Sequence, residues 1–245
     1  MEVRLDGRSA IVTGGSKGLG LAIAKEYAAS GADVAIVARD QAALNDAKAA
    51  IQALGGKGKV LAISCDVSKA GPIQAACEQA NREFGKVDIF VNNAGIMIRG
   101  TIDSYGLEDF DRMLAVNVRA AFVGIQAASQ AMKDGGRIIL IGSNTAVRTA
   151  FPGASVYRMT KAALTGLVRG AAIDLAPRTI TVNNIQPGPT ATDMSAPHAE
   201  AVKTLIPLAR MADVSEIAGF VSYLASDEAG FITGASLTID GGYIA

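Results

Sequence analysis

Tyr157 and Lys161 stand four residues apart in the order Y-x-x-x-K. On a helix that spacing puts both side chains on one face and close together. A free phenol has a pKa of about 10, too high to exchange a proton easily at neutral pH, and a neighbouring cation lowers it by stabilising the phenolate. The pair is therefore a candidate proton donor and acceptor, with Ser143 upstream as a candidate hydroxyl partner. Taken singly each residue has a plain reading, as an amphipathic tyrosine, a solvated lysine or a turn serine. A second chemical feature is T-G-G-S-K-G-L-G, Thr13 to Gly20, directly after Ala-Ile-Val. It fails the G-x-G-x-x-G template, because the sixth position counted from Gly18 is Ile23. A strand, then Gly14, Gly15, Gly18 and Gly20, then a helix is still what a phosphate site needs. Helix N-terminal N–H groups and the helix dipole favour an anion, and missing Cβ atoms let it approach.

The elements that must hold these groups alternate along the chain. Short β-branched runs at 9–13, 33–38, 60–64, 87–92, 137–142, 179–185 and 236–239 read as strands, nearly continuous in apolar residues as befits a sheet buried on both faces. Segments 18–30, 41–54, 72–84, 107–133, 155–175 and 214–225 read as helices. This alternation predicts an α/β fold: a single-domain, Rossmann-like, doubly wound seven-stranded parallel sheet with helices on both faces. Ligands of such folds sit beyond the carboxyl ends of the strands, at the switch point of strand order.

Composition bounds the rest. The 245 residues are 50% hydrophobic, enough for one sizeable core, and no linker or repeat divides 1–245. With 23 basic and 23 acidic residues there is no whole-chain field to attract nucleic acid or an anionic membrane. Cys65 and Cys77 read as reduced, mostly buried thiols. No apolar run approaches a membrane span and no signal segment is visible, so a cytoplasmic, soluble chain is expected. No His/Cys/Asp/Glu cluster has ligand spacing, so no metal is expected.

Several ordered motifs, read together, resemble the short-chain dehydrogenase/reductase family from about residue 5 to 242. Thr-Gly-x-x-x-Gly-x-Gly at Thr13 is that family's glycine spacing, and Asn92-Asn93-Ala94-Gly95 after the fourth strand is its N-N-A-G. Asn117 within the long helix, Ser143, Tyr157 and Lys161 match its tetrad; Pro187-Gly188 with Thr192 match its P-G-x-x-x-T. The resemblance implies hydride transfer between a nicotinamide cofactor and a carbonyl or secondary alcohol, of the ketoreductase type. Tyr157 would act as general acid and base, helped by Lys161 and an oxidised nicotinamide. Ser143 would bind the same oxygen, Lys161 would hold the nicotinamide ribose, and Asn117 would support a water chain. Ser143 and Tyr157 lie 14 residues apart where many members show 13, which leaves the pocket wall around 144–155 open. Arg158 is either exposed or a substrate contact.

The cofactor site implied takes in Gly14, Ser16, Lys17, Gly18, Leu19, Gly20, Ala38, Arg39, Asp66, Val67, Asn93, Ala94, Gly95, Tyr157, Lys161, Pro187, Gly188, Thr190 and Thr192, with Asn92 and Ile185 beside them. A carboxylate ending the second strand would take the adenosine ribose and repel a 2′-phosphate. That position is Ala38, followed by Arg39 and faced by Lys17, so NADP(H) is favoured over NAD(H). Asp40 falls two positions late and reads as a helix cap; Asp66 reads either as an adenine contact or as a turn residue. Segment 193–210, with Met194, Ala196, His198, Leu205 and Ile206, reads as a substrate lid. The substrate expected is a small or medium carbonyl or alcohol. A 3-oxoacyl group on a carrier protein, met by Arg178, is one alternative, and a nucleotide-binding regulatory protein on the same fold is another. The resemblance also implies a homotetramer built on the long helices 107–133 and 155–175 and the C-terminal strand region.

Overall fold

The computed structural model describes residues 3–148, 151–192 and 199–245. Each strand presents alternate side chains to opposite faces, and both faces are apolar. In β1 (Ser9–Thr13), Ala10 and Val12 enter one core while Ile11 enters the other. The first core is closed by α1 (Gly18–Ala29) and α2 (Gln41–Gln52) through Ile23, Tyr27, Leu44 and Ile51. It is completed by α8 (Val214–Ala225), whose N-terminus is fixed by a capping box between Asp213 and Glu216. The opposite core is closed by α3 (Ala70–Phe84), α5 (Ala120–Ala131) and α6 (Ser155–Leu175). Cys65 and Cys77 lie buried and unpaired in this second core.

The other strands are β2 (Asp33–Ala38), β3 (Val60–Ser64), β4 (Val87–Asn92), β5 (Met132–Ile141), β6 (Thr181–Pro187) and β7 (Ser236–Ile239). All seven run parallel in the order β3-β2-β1-β4-β5-β6-β7. The order reverses between β1 and β4, so the crevice of the fold opens beyond Thr13 and Asn92.

Several predicted boundaries move. The helix expected over 107–133 is α4 (Leu107–Leu114), a π-helical turn (Ala115–Arg119) and then α5. The π turn holds Asn117, whose amide is committed to backbone outside the helix, and single π turns mark functional sites more often than chance. Met132 and Lys133 have left the helix: Met132 already pairs with Val87, and the register shifts before Ile89. Strand β6 runs two residues beyond the expected end because Pro187 sits at its last position, where only its carbonyl is needed in the ladder. Helix α3 begins two residues before Pro72, in the first turn, where the missing N–H costs nothing. A short helix α7 (Ala199–Lys203) lies within the expected lid; Met194, Ala196 and His198 fall outside the described residues.

Candidate active site

The glycine turn and N-N-A-G are stapled to one another across the switch point. Thr13 Oγ1 accepts from Asn93 N at 3.0 Å and Ala94 N at 3.1 Å. Asn93 Nδ2 in return donates to Thr13 O at 2.9 Å and Gly14 O at 3.3 Å. There is no room for a side chain in this clamp: a Cβ on Gly14 would stand 2.8 Å from Asn93 Nδ2, and one on Gly20 would stand 2.2 Å from Gly14 O. Gly14 also holds φ +65°, where glycine alone is unstrained. The first turn of α1 behind it has no side-chain cap, so its N–H groups point into the crevice unspent. A Cβ on Gly18 would project into that space, 3.8 Å from Thr192 Cγ2. The turn is therefore a cradle shaped for a phosphate-bearing group, and its residues fit a dinucleotide.

A cleft of about 730 Å³ runs from this cradle along the strand ends. All the residues expected to bind cofactor line it, from Gly14, Ser16, Lys17, Gly18, Leu19 and Gly20 through Ala38, Arg39, Asp66, Val67, Asn93, Ala94 and Gly95 to Pro187, Gly188, Thr190 and Thr192. Ser143, Tyr157 and Lys161 line it too. Asn92 and Ile185 do not: both are buried within the sheet, short of the cleft. Asp40 caps α2, accepting from Ala42 N and Ala43 N. Asp66 both faces the cleft and closes a turn on Ser68, accepting from its N at 3.1 Å and its Oγ at 2.8 Å. Those bonds, with Arg39 and Lys69 nearby, hold the Asp66 carboxyl below its ordinary range.

At the other end, Ser143 Oγ accepts from Thr145 N at 3.2 Å and from Thr145 Oγ1 at 2.9 Å. Both lone pairs of the serine oxygen are thus occupied, so Ser143 has only its own proton left to offer. It lies near enough to Tyr157 to favour the phenolate. Lys161 Nζ donates to Ile141 O at 2.8 Å and lies 5.7 Å from the centre of the Tyr157 ring. Asn117 stands behind rather than in the cleft. It accepts from Ile96 N at 2.9 Å and donates to Ile96 O at 2.8 Å and Thr160 Oγ1 at 3.1 Å, which ties the π turn to the strand β4 loop and to α6.

The expected lowering of the tyrosine by its lysine is not produced by the protein groups alone. Burial pushes the Tyr157 phenol up to about 12, opposed only by Ser143, and pushes Lys161 down to about 8 from an ordinary 10.5. Desolvation outweighs attraction because the ammonium lies beside the ring rather than against the hydroxyl. The lysine shift has a stability consequence. Between pH 8 and 10.5 the unfolded chain still holds a proton on Lys161 that the folded chain has lost, so folding becomes more favourable as pH rises. Wild type should gain about 3 kcal/mol on Lys161→Met across that window, read by urea denaturation at stepped pH. A flat difference would show that Lys161 titrates normally.

Sequence reasoning missed several cleft residues. Tyr243 is brought in by the turn after β7: Asp240 accepts from Gly242 N, Ile244 N and Asn144 Nδ2, and Arg148 Nη1 donates to Tyr243 O at 2.7 Å. Tyr243 ends the C-terminal strand region, which the resemblance assigned to assembly rather than to the cleft. Met97, Arg99, Arg112, Val116, Thr145, Phe151 and Val202 also line the cleft. Arg158 is exposed and donates to Val147 O at 3.1 Å, outside the cleft. Arg178 is also spent elsewhere, donating to Ser129 O at 2.7 Å and Met132 O at 2.6 Å and pairing with Asp134.

A doubly wound sheet with a glycine cradle at its switch point and a serine, tyrosine and lysine at the far end of one cleft defines a nucleotide-dependent oxidoreductase fold. Comparison with known proteins agrees. A family profile described as enoyl-(acyl carrier protein) reductase matches residues 14–244. The chain is 37% identical over 248 residues to D-threitol dehydrogenase of Mycolicibacterium smegmatis, covering 99% of this chain and 95% of that one. It is 35% identical over 240 residues to the cyclic-di-GMP-binding biofilm dispersal mediator protein of Escherichia coli, covering 97% of each. A short-chain dehydrogenase from Burkholderia cenocepacia, solved in complex with NADP, superposes with a TM-score of 0.95 at 43% identity, covering 99% of this chain and all of that one. The chain belongs to the short-chain dehydrogenase/reductase family of NAD(P)-dependent oxidoreductases. Among the described residues no helix is long and apolar enough to cross a membrane.

Proposed function

We propose that the chain transfers a hydride between NADP(H) and a small or medium carbonyl compound or secondary alcohol, with Tyr157 as general acid and base. The observation that carries this is the meeting of Ser143, Tyr157 and Lys161 at one end of a cleft whose other end is a phosphate cradle. When bound, the dinucleotide supplies or accepts the hydride. Tyr157 gives its hydroxyl proton to the carbonyl oxygen in reduction and takes the alcohol proton in oxidation. Ser143, whose lone pairs Thr145 fills, donates to the same oxygen and stabilises the charge that develops there. Lys161, with a pKa of about 8, returns the proton to Tyr157 and holds the nicotinamide ribose. Asn117 positions the wall that carries Ile96 rather than touching substrate.

Lys17, Ala38 and Arg39 support NADP(H) over NAD(H): two cations face the cleft where a ribose-binding carboxylate would stand. We read residues 1–245 as one dinucleotide-binding and catalytic domain in which 193–210 closes over the substrate. Val202 lines the cleft and Ile206 is buried against Gly241, which supports that reading. A homotetramer in the cytoplasm is the favoured setting; Phe122 on α5 and Ile173 on α6 leave apolar side chains 52% and 75% exposed, as a helix-to-helix interface needs. A 3-oxoacyl carrier substrate is less favoured, since Arg178 is engaged within its own chain. A nucleotide-binding regulatory role is the second reading, supported by the relative named for cyclic-di-GMP binding.

The test is a fluorescence titration with NADPH and NADH, followed by a panel of ketones, aldehydes and 3-oxoesters. Tighter NADPH binding and oxidation by one carbonyl class are expected. Binding without oxidation by any carbonyl would move the reading to regulation.

A further inference from the structure

The mechanism leaves two cleft arginines without a task. At Gly95 the chain passes Lys161, since a Cβ there would stand 3.3 Å from Nζ. Beyond it the chain runs to the Tyr157 side of the cleft: Gly100 N donates to Gly153 O at 3.1 Å, and the Arg99 guanidinium lies 4.9 Å from the centre of the Phe151 ring, just before α6 begins. Arg112 reaches the cleft from α4, whose next residue Met113 accepts from Ile98 N through Sδ. The loop and the helix are thus packed together, and both arginines line the one cleft.

Both arginines are exposed, and neither side chain makes a hydrogen bond or ion pair with any described residue. Among the described residues lining the cleft the single carboxylate is Asp66, at the opposite end and engaged by Ser68. Arg112 does not serve a helix C-terminus either, because α4 continues through the π turn into α5. The Phe151 ring restrains the Arg99 guanidinium, whose planar fork keeps an N–H edge that no described residue engages. That edge matches a carboxylate or phosphate bidentately. The loop that carries Arg99 also brings apolar Ile96 and Met97 to the cleft.

We infer that Arg99 and Arg112 form an anion subsite, so that the carbonyl substrate carries a carboxylate or phosphate at the end remote from its reacting carbon. The inference rests on the oxidoreductase reading for the carbonyl but not for the anion, and the experiment separates them. Calorimetry with the protein saturated in NADP compares hexanoate, hexyl phosphate and neutral hexanamide, while turnover compares acetoacetate with its methyl ester. Hexanoate or hexyl phosphate should bind about tenfold more tightly than hexanamide, as a charge-assisted contact implies. The tighter of the two names the anion. The acid-to-amide ratio should collapse in Arg99→Gln and Arg112→Gln, with partial recovery in Arg99→Lys and loss of the wild-type preference in high salt. NADP titration confirms that each variant is folded. Equal binding of anion and amide by wild type, or a ratio that both glutamine variants keep, would overturn the subsite. Reduction of the ester without preference for the acid would keep the reductase and reject the subsite; anion binding without any turnover would do the reverse.

Discussion

Tyr157→Phe should lower kcat for carbonyl reduction by about a thousandfold or more, within the range for loss of a positioned proton donor, while NADPH titrates nearly as in wild type. Phenylalanine keeps the ring that packs beside Lys161 and removes only the hydroxyl on which Ser143 acts. The loss should fall on kcat rather than KM, because the proton is wanted as charge builds on the oxygen and not when substrate binds. Burial holds the resting phenol protonated well past neutrality, so reduction needs no prior titration of Tyr157. Oxidation requires the phenolate and should climb with pH. Unchanged turnover in the phenylalanine variant would remove Tyr157 from the chemistry and leave Ser143 without an acid to assist. Ser143→Ala should cost less, since only one donor to the developing oxyanion is lost.

How much of this was legible beforehand follows from what kind of force decides each feature. Strands such as Asp33–Ala38 and helices such as Ser155–Leu175 were readable to the residue because burial on one or both faces writes a period into the sequence. The cofactor cleft was readable because its residues sit at strand ends, and strand ends were already fixed. The π turn at Asn117 was not readable. The helix runs on through it, but its hydrogen-bond ladder widens where one amide finds Ile96 and Thr160, contacts 21 and 43 residues away in sequence. The exit of Met132 into β5 is decided by a pairing with Val87, again a tertiary term that overrides a helix-favouring composition. That burial raises Tyr157 and lowers Lys161 among the protein groups alone was not readable for the same reason. Spacing reports that they share a face; only the depth of each atom decides whether attraction or desolvation prevails. Arg99 and Tyr243 belong to loops, where residue type signals a contact only once the partner is in place.

Arg39→Ala should weaken NADPH about tenfold to a hundredfold, the loss of charge-assisted hydrogen bonds to a phosphate, and should change NADH far less. The difference arises because Arg39 and Lys17 offer the cleft two positive groups while Ala38 offers no acceptor to a ribose hydroxyl. Electrostatics adds to the direct contact. Arg39 is close enough to Asp66 to help hold that carboxyl ionised, so deleting it also leaves a negative charge uncompensated at the same end of the cleft. A 2′-phosphate would feel that charge as repulsion, whereas a ribose hydroxyl would not. Raising the salt concentration should therefore erode the NADPH preference of wild type more than that of the alanine variant. Arg39→Lys should retain the long-range attraction but lose the forked contact, falling between the two. Equal losses for NADPH and NADH would show that Arg39 acts on the shared adenosine rather than on the phosphate, and would return the choice of cofactor to Lys17 and to whatever the Asp66 carboxylate can reach.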